Sequence, residues 1–274
     1  VVTWNALISG YTQDGQGHEA LSCFAKMESE GICPNEVTFT CIVKIFAKAG
    51  DLDKGKHIHD EIVSRGLLEK SVILGNALID MYAKSGALAK AQEVLEELHI
   101  RDKVSWSALI AGYVKEAQGH EALHCFKRMK REGFYPDWVT LMCVLKACCS
   151  TNHFIQGKCI HADIIEFGLE SDISLSNTLV NMYASCGSLC DAHRMFNRLI
   201  KKNRVAWNVM VEAYDQEGQV EEAIQLYKRM QTEGIKPDRV NFVSILKVCS
   251  CMASLHQGKF VHSHITHLGL DSEE

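Results

Sequence analysis

Proline is scarce, with three residues in a chain of 274. Collagen-like, proline-rich and other low-complexity architectures are therefore excluded, and an uninterrupted helical pattern is possible throughout. No run approaches the roughly 18 apolar residues that a bilayer-spanning helix needs. Positive charge is not in excess either: the net charge is −5 and the pI about 6.2. No global basic field points to nucleic acid or to an anionic membrane, so any contact with nucleic acid has to be local. No signal or transit peptide opens the chain, which is uninformative for an internal fragment. No pattern of alternating polar and apolar residues competes with the helical one.

Cysteine is plentiful, at twelve residues, yet no C-x-x-C pair occurs. Cys23 and Cys125 sit in matching "CF" steps, and Cys148, Cys149, Cys249 and Cys251 lie in the aliphatic runs "KACCS" and "KVCSC". In such settings cysteine reads as a small buried apolar residue, and a reducing compartment is expected.

The dominant feature is a repeat. "WNALISGY" at Trp4, "WSALIAGY" at Trp106 and "WNVMVEAY" at Trp207 return about every 100 residues, as do "GKHIH", "GKCIH" and "GKFVH" at Gly55, Gly157 and Gly258. Each long period divides again into segments of about 35, 35 and 31 residues. The expected repeats are 1–35, 36–71, 72–102, 103–137, 138–172, 173–203, 204–238 and 239–273. In the first, Trp4, Leu7, Ile8 and Tyr11 follow the i, i+3, i+4, i+7 spacing of an amphipathic helix, and Gly15 to Gly17 interrupt it. A second stripe of Ala20, Leu21, Phe24 and Met27 ends at Gly31, with Pro34 beyond. Each repeat is thus a helical hairpin with one uncovered stripe, and stacking neighbours to cover it gives an all-α solenoid. The absence of a polar capping helix at either end suggests a piece of a longer array.

Asn5 lies beside the apolar stripe of its helix, and the fifth residues of successive repeats form a ladder: Asn5, Thr40, Asn76, Ser107, Met142, Asn177, Asn208 and Val243. Asparagine is a poor helix former, so its recurrence there asks for an amide. The last residues form a second ladder: Asn35, Ser71, Asp102, Asp137, Asp172, Asn203, Asp238 and Glu273.

These ladders, the "VTWNALISGY…GHEALSCFAKMESEGICPN" layout, the alternating lengths, Gly-Lys-x-x-His and Met-Tyr-Ala together resemble the pentatricopeptide repeat proteins of the plant PLS subclass, in the order P, L, S, P, L, S, P, L. The resemblance covers essentially the whole chain. It implies a right-handed superhelical solenoid that binds single-stranded RNA with one base per repeat. Under that rule the base-reading residues are Asn5 with Asn35, Thr40 with Ser71, Asn76 with Asp102, Ser107 with Asp137, Asn177 with Asn203, and Asn208 with Asp238. Uracil is expected opposite the two Asn–Asp pairs, guanine opposite Ser107 with Asp137, and a pyrimidine opposite the two Asn–Asn pairs. Val2, Val37, Ile73, Val104, Val139, Val205 and Val240 would clamp the bases, with Ser174 the weak point in that series. Lys48, Lys84 and Lys115, each thirteenth in its repeat, would meet phosphate. Met142 and Val243 cannot hydrogen-bond a base edge, which makes their L repeats spacers. The resemblance further implies a mitochondrial or chloroplast setting, a C-to-U editing role and editing-complex proteins as further partners.

Three other motifs carry less. "HEALH" at His120 to His124 matches a zinc-protease pattern, but its second-stripe residues Ala122, Leu123, Phe126 and Met129 put both histidines on the opposite face, with no third ligand. "GQGHEA" at Gly15 to Ala20 follows a helix rather than the strand that a dinucleotide fold requires. The pairs His57 with His59 and His262 with His264 diverge by about 200° on a helix and cannot chelate together. No cofactor, metal, membrane or small-molecule substrate is implied. Editing members of the family carry a deaminase-like domain with HxE and C-x-x-C ligands. This chain has "HAD" at His161 and no C-x-x-C, so no enzyme activity is expected of it. The competing reading is a protein-binding scaffold of tetratricopeptide type, which would have no reason to repeat Asn with Asp.

Overall fold

The structure is a computed structural model that describes residues 1–251 and 255–267. Glu273 of the last-residue ladder lies outside the described residues, as does the Cys251 side chain. Among the described residues the chain is all helical, with no strand. It divides into two compact units, Val1–Val144 and Leu145–Glu274.

The first unit contains α1 (Val2–Gln13), α2 (Gly17–Ser29), α3 (Glu36–Ala49), α4 (Leu52–Ser64), α5 (Val72–Lys84), α6 (Leu88–Glu97), α7 (Lys103–Lys115) and α8 (Gly119–Arg131). A short 3-10 turn at Leu68–Lys70 precedes α5, and the boundary between units falls inside α9 (Trp138–Thr151). Odd-numbered helices pack side by side in a layer, α1 on α3, α3 on α5 and α5 on α7, and each is backed by its even-numbered partner. The second unit repeats the scheme with α10 (Phe154–Glu166), α11 (Ile173–Ser185), α12 (Leu189–Arg198), α13 (Arg204–Gln216), α14 (Val220–Thr232), α15 (Arg239–Cys251) and α16 (Leu255–His267). The hairpin-and-stack fold is therefore present, and Gly31 ends its hairpin at φ 72°, a left-handed conformation that favours glycine.

The stripe read in α1 is only partly buried. Ile8 is inaccessible, Trp4 and Tyr11 are half-buried, and Leu7 is 46% exposed. Their equivalents Trp106, Leu109, Ile110 and Tyr113 in α7 are all buried. The difference is one of neighbours: α7 packs on α5, α6 and α8, whereas α1 packs on α2 and α3. Trp106 and Trp207 fill the core, and Arg128 and Arg229 lie over their rings at 5.4 and 5.8 Å. All described cysteines are free thiols. Cys125, Cys148 and Cys249 are buried as expected, but Cys23 and Cys149 are only half-buried and Cys33, Cys159 and Cys190 are exposed.

Two signatures that recur in phase turn out to be halves of one joint. The glycine of Gly-Lys-x-x-His abuts the methionine of Met-Tyr-Ala: a Cβ on Gly55 would lie 2.6 Å from Met81 Sδ, and one on Gly157 would overlap Met182 Sδ. Four residues on, His59 Nδ1 meets Tyr82 Oη at 2.9 Å, and His161 Nδ1 meets Tyr183 Oη at 2.8 Å. His59, the second histidine of its H-x-H pair, is thus a packing residue with a phenol partner, whereas His264, the second histidine of the other pair, makes a different contact, with Tyr227 of the preceding helix α14 at 3.0 Å. Burial holds His59 and His161 below the ordinary imidazole pKa, against nearby carboxylates that pull the other way.

Gly157→Ala is expected to destabilise the protein by about 1 kcal/mol, since overpacking against Met182 outweighs the helix-propensity gain. Gly258→Ala, where a Cβ meets nothing within 4 Å, serves as the control and should be neutral or stabilising in urea titration. Because burial depresses the folded pKa of His59 and His161, the unfolded chain binds the extra protons. Their contribution to stability is complete above pH 6.5, the ordinary imidazole value, and falls as pH drops below it. Melting temperature should therefore decline more steeply between pH 7.5 and 5.5 in the native protein than in a His59→Gln, His161→Gln variant.

Candidate nucleic-acid interface

The last residue of each of the first seven repeats is the N-cap of the helix that follows. Asn35 Oδ1 accepts from Thr38 N at 3.2 Å, and Thr38 Oγ1 accepts in return from Asn35 N at 3.1 Å. Asp102 with Ser105 and Asp238 with Asn241 form the same reciprocal box. Asp137, Asp172, Asn203 and Ser71 cap α9, α11, α13 and α5 through the backbone N–H groups of Thr140, Leu175, Ala206 and Leu74. The uniform chemistry of this ladder thus has a folding cause. Sequence reading missed it, although the signal is present as Asn or Asp placed three residues before Thr, Ser or Asn in "NEVT", "DKVS", "DWVT" and "DRVN".

The cap also receives the fifth residue of its own repeat. Asn5 Nδ2 donates to Asn35 Oδ1 at 2.9 Å, and Asn76 Nδ2 donates to Asp102 Oδ1 at 3.1 Å. In α7 and α9, Ser107 Oγ donates to the Lys103 carbonyl at 2.7 Å and lies within hydrogen-bond distance of Thr140 Oγ1, whose single proton has Asp137 Oδ1 at 2.8 Å as its other acceptor. Asn208 accepts from Asn241, the box partner of Asp238. Four of the six expected pairs are therefore joined, directly or through one bridging side chain. All of the Asp102 contacts run to Oδ1, so its second oxygen is uncommitted.

Two expected pairs differ. Thr40 is buried and donates to the Glu36 carbonyl at 2.8 Å, while Ser71 is buried and donates to the Glu36 carboxylate. Both hydroxyl protons therefore have acceptors inside the fold, and the two side chains are not joined to each other. The Asn177–Asn203 pair has no mutual hydrogen bond, and Asn177 Oδ1 is buried without a partner.

The second residues sit one turn from these pairs, and all of the aliphatic ones are exposed. Val2, Val37, Ile73, Val104, Val139, Val205 and Val240 range from 39% to 84% accessible, and Ser174 is also exposed. Lys48, Lys84 and Lys115 are at the surface. Lys84 already pairs with Asp80 at 2.7 Å, and Lys115 donates to the Lys84 carbonyl at 2.9 Å. His120 and His124 of "HEALH" are exposed on α8, and no group of three metal-ligating side chains occurs among the described residues.

A PPR repeat family model matches residues 1–48, 101–150 and 202–251, and a PPR repeat model matches 37–67 and 76–102. The pentatricopeptide repeat-containing protein At2g33680 of Arabidopsis thaliana is 36% identical over 98% of this chain and 37% of its own length. A second Arabidopsis relative, At3g09040, named mitochondrial, is 36% identical over 99% of this chain and 26% of its own length. The chain thus spans well under half the length of these relatives. Among solved structures, the pentatricopeptide repeat protein PPR10 from maize superposes with a TM-score of 0.86 at 22% identity, over 99% of this chain and 39% of that one. The same protein in complex with an 18-nucleotide psaJ RNA element gives 0.83, over 99% and 40%. A tetratricopeptide repeat protein from Parabacteroides merdae gives 0.52 at 14% identity, over 90% and 99%. With three copies of the family model spread over more than half of its residues, on a solenoid of helical hairpins, this chain belongs to the pentatricopeptide repeat family.

Proposed function

We propose that the chain is a sequence-reading tract for single-stranded RNA, with the odd-numbered helices carrying the RNA and each hairpin addressing one base. The observation that carries this reading is the exposed aliphatic residue one turn before each polar pair, repeated in register along the odd-numbered helices. A folding reason would turn these side chains inward, and a flat apolar ligand such as a base gives them a reason to face out. Beside each clamp the pairs Asn5–Asn35, Asn76–Asp102, Ser107–Asp137 and Asn208–Asp238 offer hydrogen-bonding groups held by the helix cap. The maize relative of the same fold is described in complex with RNA, which supports the assignment.

Repeat boundaries at 35, 71, 102, 137, 172, 203 and 238 place every cap at a repeat end and give the order P, L, S, P, L, S, P, L of the PLS subclass. The L repeats at 36–71, 138–172 and 239–273 act as spacers, in keeping with the buried Thr40 and Ser71 and the apolar Met142 and Val243. The addressed sequence is then Y-n-U-G-n-Y-U-n, with Lys48, Lys84 and Lys115 as phosphate contacts, the latter two once Asp80 and the Lys84 carbonyl are exchanged for phosphate. The parent protein is proposed to act in organellar C-to-U editing, alongside editing-complex proteins, with the chemistry supplied elsewhere.

Selection from a random single-stranded RNA pool tests the reading. The native protein should enrich the stated pattern, and failure to enrich any RNA would favour a protein-binding scaffold. The variant Asn76→Ser with Asp102→Asn should move preference at one nucleotide from uracil to adenine by roughly tenfold, as expected for exchanging one base-edge hydrogen bond of about 1.4 kcal/mol. Asparagine remains a competent N-cap for α7, so the fold should be intact, which a thermal melt checks. Unchanged base preference in a folded variant would rule out this register.

A further inference from the structure

The fifth-residue amides do not stand alone above their caps. In three repeats the Oδ1 atom accepts a hydrogen bond from the third residue of the next odd-numbered helix. Thr38 Oγ1 donates to Asn5, Ser105 Oγ to Asn76, and Asn241 Nδ2 to Asn208. The three donors are chemically different, yet all are buried and all reach the same acceptor atom. For Ser105, the contact to Asn76 is the shorter of its two possible acceptors. At the equivalent position after Asn177 the chain has Ala206, also buried, which has no donor to offer. Asn177 Oδ1 is the one fifth-position oxygen left buried without a partner among the described residues.

A primary amide has two unlike ends that exchange on a half-turn about its last bond, so its orientation is set by its partners. With Oδ1 held by Thr38 or Ser105, Nδ2 is turned to the cap, where one hydrogen goes to Asn35 or Asp102. The other hydrogen remains for a ligand, so the pinned amide presents a donor and cannot present its oxygen. A donor suits the carbonyl edge of uracil and cannot accept from the exocyclic amino group of cytosine. An amide with nothing on its oxygen can turn over and meet either.

We propose that the third residue of each following odd-numbered helix is a positioning residue that fixes the fifth-residue amide and thereby sets how narrowly its repeat discriminates uracil from cytosine. The inference rests on the RNA-reading proposal above. Its sharpest consequence concerns two repeats with identical reading pairs: Asn5–Asn35 is pinned by Thr38, and Asn177–Asn203, followed by Ala206, is not. The first repeat prefers uracil, and the sixth takes both pyrimidines.

Pool selection on the whole chain, scored as the uracil-to-cytosine ratio at each position, provides the test. The native ratio opposite the first repeat should exceed that opposite the sixth by roughly two- to tenfold, the range that one net hydrogen bond supports. Ala206→Ser, which copies Ser105 of the equivalent helix, should raise the ratio opposite the sixth repeat by a similar factor. Thr38→Val should lower the ratio opposite the first, and Thr38→Ser should restore it. Without RNA, Ala206→Ser should raise the melting temperature by about 2–4 °C by satisfying Asn177. Ratios that stay equal, or do not move in the variants while other positions keep their preferences, would overturn the positioning role and leave RNA reading standing. Absence of base preference at every native position would overturn both.

Discussion

In the first and third repeats a single capping oxygen joins the fold to the face it presents. Asp102 Oδ1 accepts from the backbone N–H groups of Val104 and Ser105, which would otherwise be left unpaired at the start of α7, and also from the Asn76 amide of the preceding odd-numbered helix. An N-cap of this kind contributes about 1 kcal/mol. Here it also fixes the neighbouring helix, because the capping side chain reaches across to it. The stacking register of two hairpins and the position of the polar group between them are therefore one quantity. A slip of the stack would break the cap and displace the amide together.

A second linkage works on the other layer. Gly55 against Met81 with His59 against Tyr82, and Gly157 against Met182 with His161 against Tyr183, tie an even-numbered helix to the next odd one. These joints lead into α5 and α11, whose third residues are Leu74 and Leu175 and offer no polar group to a preceding fifth residue. In the first unit the division is plain. Where the amide ladder is interrupted at Thr40, close glycine–methionine packing and a histidine–phenol bond hold the neighbours instead.

Much of this was legible in the sequence because a solenoid is built from local contacts. Period-3.6 stripes gave the helices, Gly31 and its counterparts gave their stops, and the return of Trp106 and Trp207 gave the long period. The burial of α1 was overestimated, since Leu7 obeys the same spacing as Leu109 but has fewer neighbouring helices to cover it. The side-chain chemistry of Thr40 likewise does not reveal that its hydroxyl turns back to the Glu36 carbonyl. The joint between Gly-Lys-x-x-His and Met-Tyr-Ala was visible as two motifs in phase. Nothing in the linear spacing states that His59 and Tyr82 touch.

The recognition of the caps changes the weight of the two ladders. Asn35, Asp102, Asp137 and Asp238 are types that any helix start favours, so their recurrence alone says nothing of a ligand. Asn76 and Asn208 are partly accounted for in the same way, as acceptors for Ser105 and Asn241. The aliphatic second residues have no such account. Val37, Ile73, Val104, Val205 and Val240 are branched side chains in the first turn of a helix, where they do not cap, and each exposes about half of its surface or more. Water gains nothing from them, and better helix formers were available at every one of these positions. A ligand that inserts apolar faces between successive hairpins is what the fold leaves unexplained, and the capped polar pairs become informative once they are seen beside that row.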